Sequence, residues 1–112
     1  MNIETKTING ILTVRLLDRR LDAHSAPDLK VRLAAPLDAG PRHVVLNLAD
    51  VDFVDSTGLS AILSLVKRLA PAGSVVLCGC REPIVALLRL TRLDRVLRVF
   101  PGEGEAVAGL AS

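Results

Sequence analysis

Between residues 44 and 70 the spacing of apolar side chains changes from that of a strand to that of a helix, which restricts the chain to few folds. Val44-Val45-Leu46-Asn47-Leu48 is a short β-branched and leucine run of the kind that forms a buried strand. From Leu59 onward the apolar positions are Leu59, Ile62, Leu63, Val66, Leu69 and Ala70, one stripe of a helix with 3.6 residues per turn. Ser60, Ser64, Lys67 and Arg68 form the opposite, wet face. At the joint, Asp55 and Ser56 carry side-chain oxygens that can accept the orphan N–H groups of a first helical turn, so one of them is expected to cap the helix. Gly58, Ala61 and Leu65 lie at helical spacing between the core stripe and the polar face. Small residues beside a hydroxyl there would let a partner approach closely.

The rest of the chain repeats the alternation of strand and helix. Ile3 to Ile8 and Ile11 to Leu17 read as strands joined by Asn9-Gly10, a two-residue turn of the primed type. In the second strand Leu12, Val14 and Leu16 form the core face, while Thr13, Arg15 and Leu17 are at least partly wet. Asp18 to His24 is expected to be a polar loop. Ser25-Ala26-Pro27-Asp28 is a helix start with a hydroxyl cap, proline in the first turn and an acid near the positive end of the dipole. Leu29, Leu33 and Leu37 continue inward, and Pro36 is expected to end or bend this helix near Ala35. After Ala70-Pro71-Ala72-Gly73, Ser74 to Cys80 is the next strand. Glu82-Pro83 opens a helix with Ile84, Leu87, Leu88 and Thr91 inside, Arg95 to Phe100 is a last strand, and Glu103 to Leu110 is a short terminal helix. This order calls for one α/β domain over residues 1–112, with a mostly parallel sheet and an antiparallel N-terminal strand.

Composition removes several classes of function. Half of the residues are hydrophobic and 23% charged, so the chain should fold, yet no apolar stretch approaches the length of a membrane helix. With no basic segment leading an apolar one at the N-terminus, a cytosolic protein without a membrane partner is expected. The formal net charge is +2. Arg81, Arg89, Arg92, Arg95 and Arg98 crowd the last third, but Phe53 and Phe100 are the only aromatic residues, so direct nucleic-acid binding is not expected. Cys78 and Cys80, two residues apart on a predicted strand, should share one face as reduced, buried thiols. His24 and His43 have no ligand spacing to them, so neither a metal nor another cofactor is expected.

The wording of the joint is specific. Phe53-Val54-Asp55-Ser56-Thr57-Gly58-Leu59 resembles the signature of the STAS-domain anti-sigma factor antagonists, the single-domain proteins of sporulation and stress regulation. Leu21-Asp22-Ala23-His24-Ser25-Ala26 and His43-Val44-Val45-Leu46-Asn47-Leu48 extend the resemblance, which covers nearly the whole chain. It implies a STAS-like fold with about four helices packed chiefly on one side of the sheet. It also implies that Ser56 is phosphorylated by a serine kinase that is itself the anti-sigma factor, and that a serine phosphatase restores it. By the same resemblance Asp22 belongs with Ser56 to the partner-facing surface, and together with the helical spacing of Gly58, Ala61 and Leu65 this makes Asp22, Asp55, Ser56, Thr57, Gly58, Ala61 and Leu65 the expected partner-facing residues. The unphosphorylated protein would bind the anti-sigma factor and release the sigma factor. Thr57, inside the first turn, is expected to be less accessible than Ser56. One departure is visible: the family commonly has glycine and an acid before this Leu-Asp pair, whereas Arg19 and Arg20 stand here, which implies a more acidic partner surface.

Other readings use the same residues. Asp-Ser-Thr-Gly also describes any capped helix start, and Asp22 can be a loop residue binding its own backbone. A catalytic Ser56 would need a base and a sharp Gly-x-Ser-x-Gly elbow, and neither is identifiable, so an enzyme is not expected. A scaffold or regulatory subunit of a stress complex or transporter, with Ser56 only a cap, is the alternative function.

Overall fold

The hairpin forms as its turn residues demand. In the computed structural model, which describes residues 1–111, β1 (Ile3–Ile8) and β2 (Ile11–Leu16) run antiparallel with Ile8 opposite Ile11. Asn9 and Gly10 both have positive φ, +52° and +79°, the pair a primed turn needs. Next come β3 (Arg20–Leu21), α1 (Ala26–Asp38), β4 (His43–Asn47), β5 (Phe53–Val54) and α2 (Ser56–Leu69). The chain ends with β6 (Ser74–Cys78), α3 (Glu82–Leu90), a 3-10 turn at Leu93–Arg95, β7 (Val99–Phe100) and α4 (Glu103–Ala111). The main sheet has the order β1-β2-β4-β6-β7, parallel throughout except for β1. β3 and β5 pair in parallel with each other alone.

Both faces of the sheet are covered, which is why β4 and β6 read as unbroken apolar runs. On one face Leu12, Val14, Leu16, Val44, Leu46, Val75 and Leu77 pack against Leu29 and Leu33 of α1, Ile62 and Leu65 of α2, and Ile84 and Leu88 of α3. On the other, Ile11, Val45, Val76 and Cys78 meet Ala106 of α4, with Phe100, Val107 and Leu110 alongside. Three helices thus lie on one side and the short α4 on the other. No helix among the described residues is long and apolar enough to cross a membrane.

Several local expectations are corrected. Residues 18 to 24 are not all loop, because β3 forms there and Leu21 is completely buried. Ser25 stands at the N-cap of α1 but makes no capping bond; its backbone is already helical, and Oγ donates to the Arg20 carbonyl and accepts the Asp22 N–H. Pro36 does not end α1 near Ala35. It sits in the last turn, where its missing N–H removes one terminal bond, and the helix runs on to Asp38. The strand expected to reach Cys80 stops at Cys78, since Gly79 takes a left-handed φ of +68°. Cys78 therefore packs on the α4 side and Cys80 against the larger core, on opposite faces rather than one. Both thiols are free, and burial pushes each up to about 11. Thr91 lies outside the core, and residues 95 to 100 form a turn and a two-residue strand instead of one long strand.

Candidate functional site

The joint between β5 and α2 is built by a small clamp of backbone. Arg20 pairs with Phe53 and Leu21 with Val54, while the Arg19 carbonyl accepts the N–H groups of Asp52 (2.8 Å) and Phe53 (3.3 Å). The Leu21 carbonyl accepts the Asp55 N–H at 3.2 Å. These bonds fix the segment before α1 against the segment before α2. Gly58 makes the approach possible: a Cβ there would lie 2.2 Å from the Leu21 carbonyl oxygen, so any side chain would push the two apart.

Asp55 then starts α2. Its extended backbone leaves the carboxylate free to turn back, and Oδ1 accepts the Gly58 N–H at 2.9 Å. The other oxygen accepts the Ala23 N–H at 3.2 Å, from the loop that follows β3. One carboxylate thus caps a helix and holds a neighbouring loop. Ser56 is the first helical residue and is exposed. Thr57 is exposed as well, so burial does not set the two hydroxyls apart as expected.

Asp22 sits in that same loop, half-buried, and binds its own backbone: Oδ1 accepts the N–H groups of His24 and Ser25 at 3.0 and 3.2 Å. Oδ2 accepts from Arg20 Nε at 3.1 Å. The Arg20 guanidinium first, and the loop N–H groups after it, hold the Asp22 carboxyl below its ordinary range. The same guanidinium lies 4.1 Å above the exposed Phe53 ring. An open hollow of about 400 Å³ is lined by Asp18, Arg19, Arg20, Asp22, His24 and Ser25. A groove of about 200 Å³ between α1 and α2 is lined by Ala26, Pro27, Lys30, Thr57, Ser60 and Ala61.

The residues read from the sequence divide into two groups. Asp22, Asp55, Ser56 and Thr57 come together around the clamp. Gly58, Ala61 and Leu65 do not form a third surface: all three are buried, Gly58 against the Leu21 carbonyl and Ala61 and Leu65 in the core with Ile62, while Leu63 and Ala70 turn outward. What the sequence did not indicate is β3 and the Arg20–Phe53 stack, since a lone leucine among charged residues carries no periodic signal. Of the arginine-rich edge, Arg81 donates to the Ala49 carbonyl and Arg98 stacks 4.8 Å from Phe100, so part of it is structural. No cluster of three or more His, Cys, Asp or Glu suited to a metal occurs among the described residues.

Known proteins resemble this chain in sequence and in fold. The anti-sigma F factor antagonist of Paenibacillus polymyxa is 28% identical, across 98% of this chain and 95% of its own. The anti-sigma-B factor antagonist of Staphylococcus epidermidis is 31% identical, across 91% and 94%. In fold, the unphosphorylated form of the anti-sigma factor antagonist SpoIIAA superposes with a TM-score of 0.77 at 19% identity, covering 95% of this chain and 93% of that one. The phosphorylated form of Bacillus SpoIIAA superposes with a TM-score of 0.71 at 19% identity, over 96% and 97%. Residues 2–106 match the STAS domain, and the chain belongs to that family.

Proposed function

We propose that this protein is an anti-sigma factor antagonist switched by phosphorylation of Ser56. Unmodified, it binds an anti-sigma factor that is also a serine kinase, and the sigma factor is released. That kinase transfers phosphate to Ser56 and ends the interaction, and a serine phosphatase reverses the modification. The observation that carries the reading is the setting of Ser56: an exposed hydroxyl on the first residue of α2, fixed by the Asp55 cap and the β3–β5 clamp. Phosphoryl transfer asks for a hydroxyl held where the γ-phosphate and a catalytic base of the kinase can both reach it. Likeness to proteins named as anti-sigma factor antagonists over almost the full chain supports the same reading. The partner-facing set is Asp22, Asp55, Ser56 and Thr57, with Arg20 and Phe53 beside them.

Incubation with an anti-sigma kinase from the same cell and ATP tests this. One phosphate is expected, mapped by fragmentation mass spectrometry to Ser56. Ser56→Ala should bind the kinase and stay bound when ATP is added. Phosphate mainly on Thr57, or release of the Ser56→Ala protein by ATP, would overturn the assignment.

A further inference from the structure

We propose that β1 is a docking edge for a second copy of this chain, the two copies joining by antiparallel β1–β1 pairing centred on Thr5. The proposal does not depend on the phosphorylation reading. β1 is the edge of the main sheet and pairs with β2 over all six residues without a bulge, whereas β7 at the other edge has only two residues. It contains no proline, and Glu4 through Ile8 are exposed. An unbroken edge of this length is the kind that natural sheets protect, and the only charged residues on it are Glu4 and Lys6.

The ladder fixes which backbone groups are available. The Asn2 carbonyl accepts the Leu17 N–H at 2.9 Å, and in an antiparallel pair the residues bonded to the partner alternate with residues whose N–H and C=O point away. Asn2, Glu4, Lys6 and Ile8 therefore bond toward β2, and Ile3, Thr5 and Thr7 direct theirs outward. A two-fold axis through Thr5 sets Thr5 opposite Thr5 of the second copy, and Ile3 opposite Thr7. Every outward N–H and C=O of these residues then finds a complement.

Charge selects this register. With Thr5 at the centre, Glu4 faces Lys6 of the second copy and Lys6 faces Glu4, both at the closely spaced, non-hydrogen-bonded positions where side chains approach most. Centring on Glu4 or Lys6 would oppose like charges, and centring on Ile3 or Thr7 leaves the charges without opposite partners. Lys6 also lies 3.5 Å from Glu103 of its own chain, yet its side chain is 64% exposed and reaches either carboxylate. The joined sheets would be continuous across ten strands. One short strand buries little area, so the dimer is expected to be weak and concentration-dependent.

Sedimentation velocity over a concentration series, together with amide exchange of β1, tests the proposal. A monomer–dimer equilibrium is expected, with the Ile3, Thr5 and Thr7 amides gaining protection as concentration rises. Glu4→Lys alone and Lys6→Glu alone should each weaken self-association by about tenfold or more, since two attractive pairs become repulsive. The two single variants mixed should form a heterodimer, and the double exchange should restore the homodimer. Thr5→Pro removes an outward N–H that β2 does not use, so it should abolish the dimer while the thermal transition stays cooperative. A sedimentation coefficient that stays monomeric at every concentration would overturn the proposal. So would a dimer unaffected by Thr5→Pro and the charge reversals, or β1 amides protected only by a different protein.

Discussion

Asp55 uses both carboxylate oxygens on backbone donors from segments that lie far apart in sequence, whereas Ser56 beside it supports little of the fold. Asp55→Ala should therefore lower stability by about 1–3 kcal/mol, the loss of a helix cap plus one loop hydrogen bond. Ser56→Ala should stay within about 0.5 kcal/mol, and urea melts of the two variants check both. Asp22 contributes through its charge. Its carboxyl is held low by Arg20 and the loop N–H groups, so its stabilising effect is complete above the unfolded value near pH 4. It is lost as pH falls through the lowered folded value. Asp22→Asn should accordingly flatten the acid limb of the stability–pH curve and bring its melting temperature closest to the parent protein's at the lowest pH. The joint was legible because capping is local: an acid, a hydroxyl and a glycine in sequence name their own roles. The burial of Gly58, Ala61 and Leu65 was not, since the rotation of α2 is set by what it meets, and the Leu21 carbonyl comes from another part of the chain.

Among the elements, those with a long period were readable, whereas β3 was missed and β7 was read as part of a longer strand. The Asn9-Gly10 hairpin, the starts of α1 and α3 and the buried runs of β4 and β6 follow from turn chemistry and spacing. β3 and β7 are too short to show alternation, and each exists because a neighbouring strand supplies backbone partners. The end of β6 at Gly79 was hidden for a different reason, because glycine is compatible with both a strand and its termination. α4 is the element whose role stands most apart, covering the second face of the sheet with Ala106 fully buried over Ile11, Val45, Val76 and Cys78. Ala106→Glu would force a carboxylate into that contact, at a cost of several kcal/mol unless the helix lifts away. Equilibrium unfolding should show a lower midpoint and a smaller urea dependence, because the native state would already expose the α4 face. Phosphorylation of Ser56, on the opposite side, should proceed at the parent rate.

For the molecule as a whole, magnitudes decide how a phosphate on Ser56 would act. At an exposed helix N-terminus it gains roughly 0.3–1 kcal/mol from the dipole, partly offset by repulsion from Asp55, so the fold should hardly respond. An interface shaped for a neutral hydroxyl would have to desolvate about −1.5 to −2 units of new charge, at several kcal/mol per ion. Phosphorylation should therefore weaken kinase binding by at least about a hundredfold, since each ~1.4 kcal/mol is tenfold. Amide shifts should be confined to the α2 N-terminus and to the β3 and β5 segments, and Ser56→Asp should reproduce them in part. Shifts spread over both faces of the sheet would mean a conformational change instead. The clamp beneath this hydroxyl has an evolutionary consequence. It is made from the main-chain groups of Arg19, Leu21, Asp52, Phe53 and Asp55, and main chain is indifferent to which side chains it carries. Positions 18 to 20 can thus drift without displacing the Ser56 hydroxyl, and duplicated copies in one cell could acquire separate addressees while inheriting the same lock.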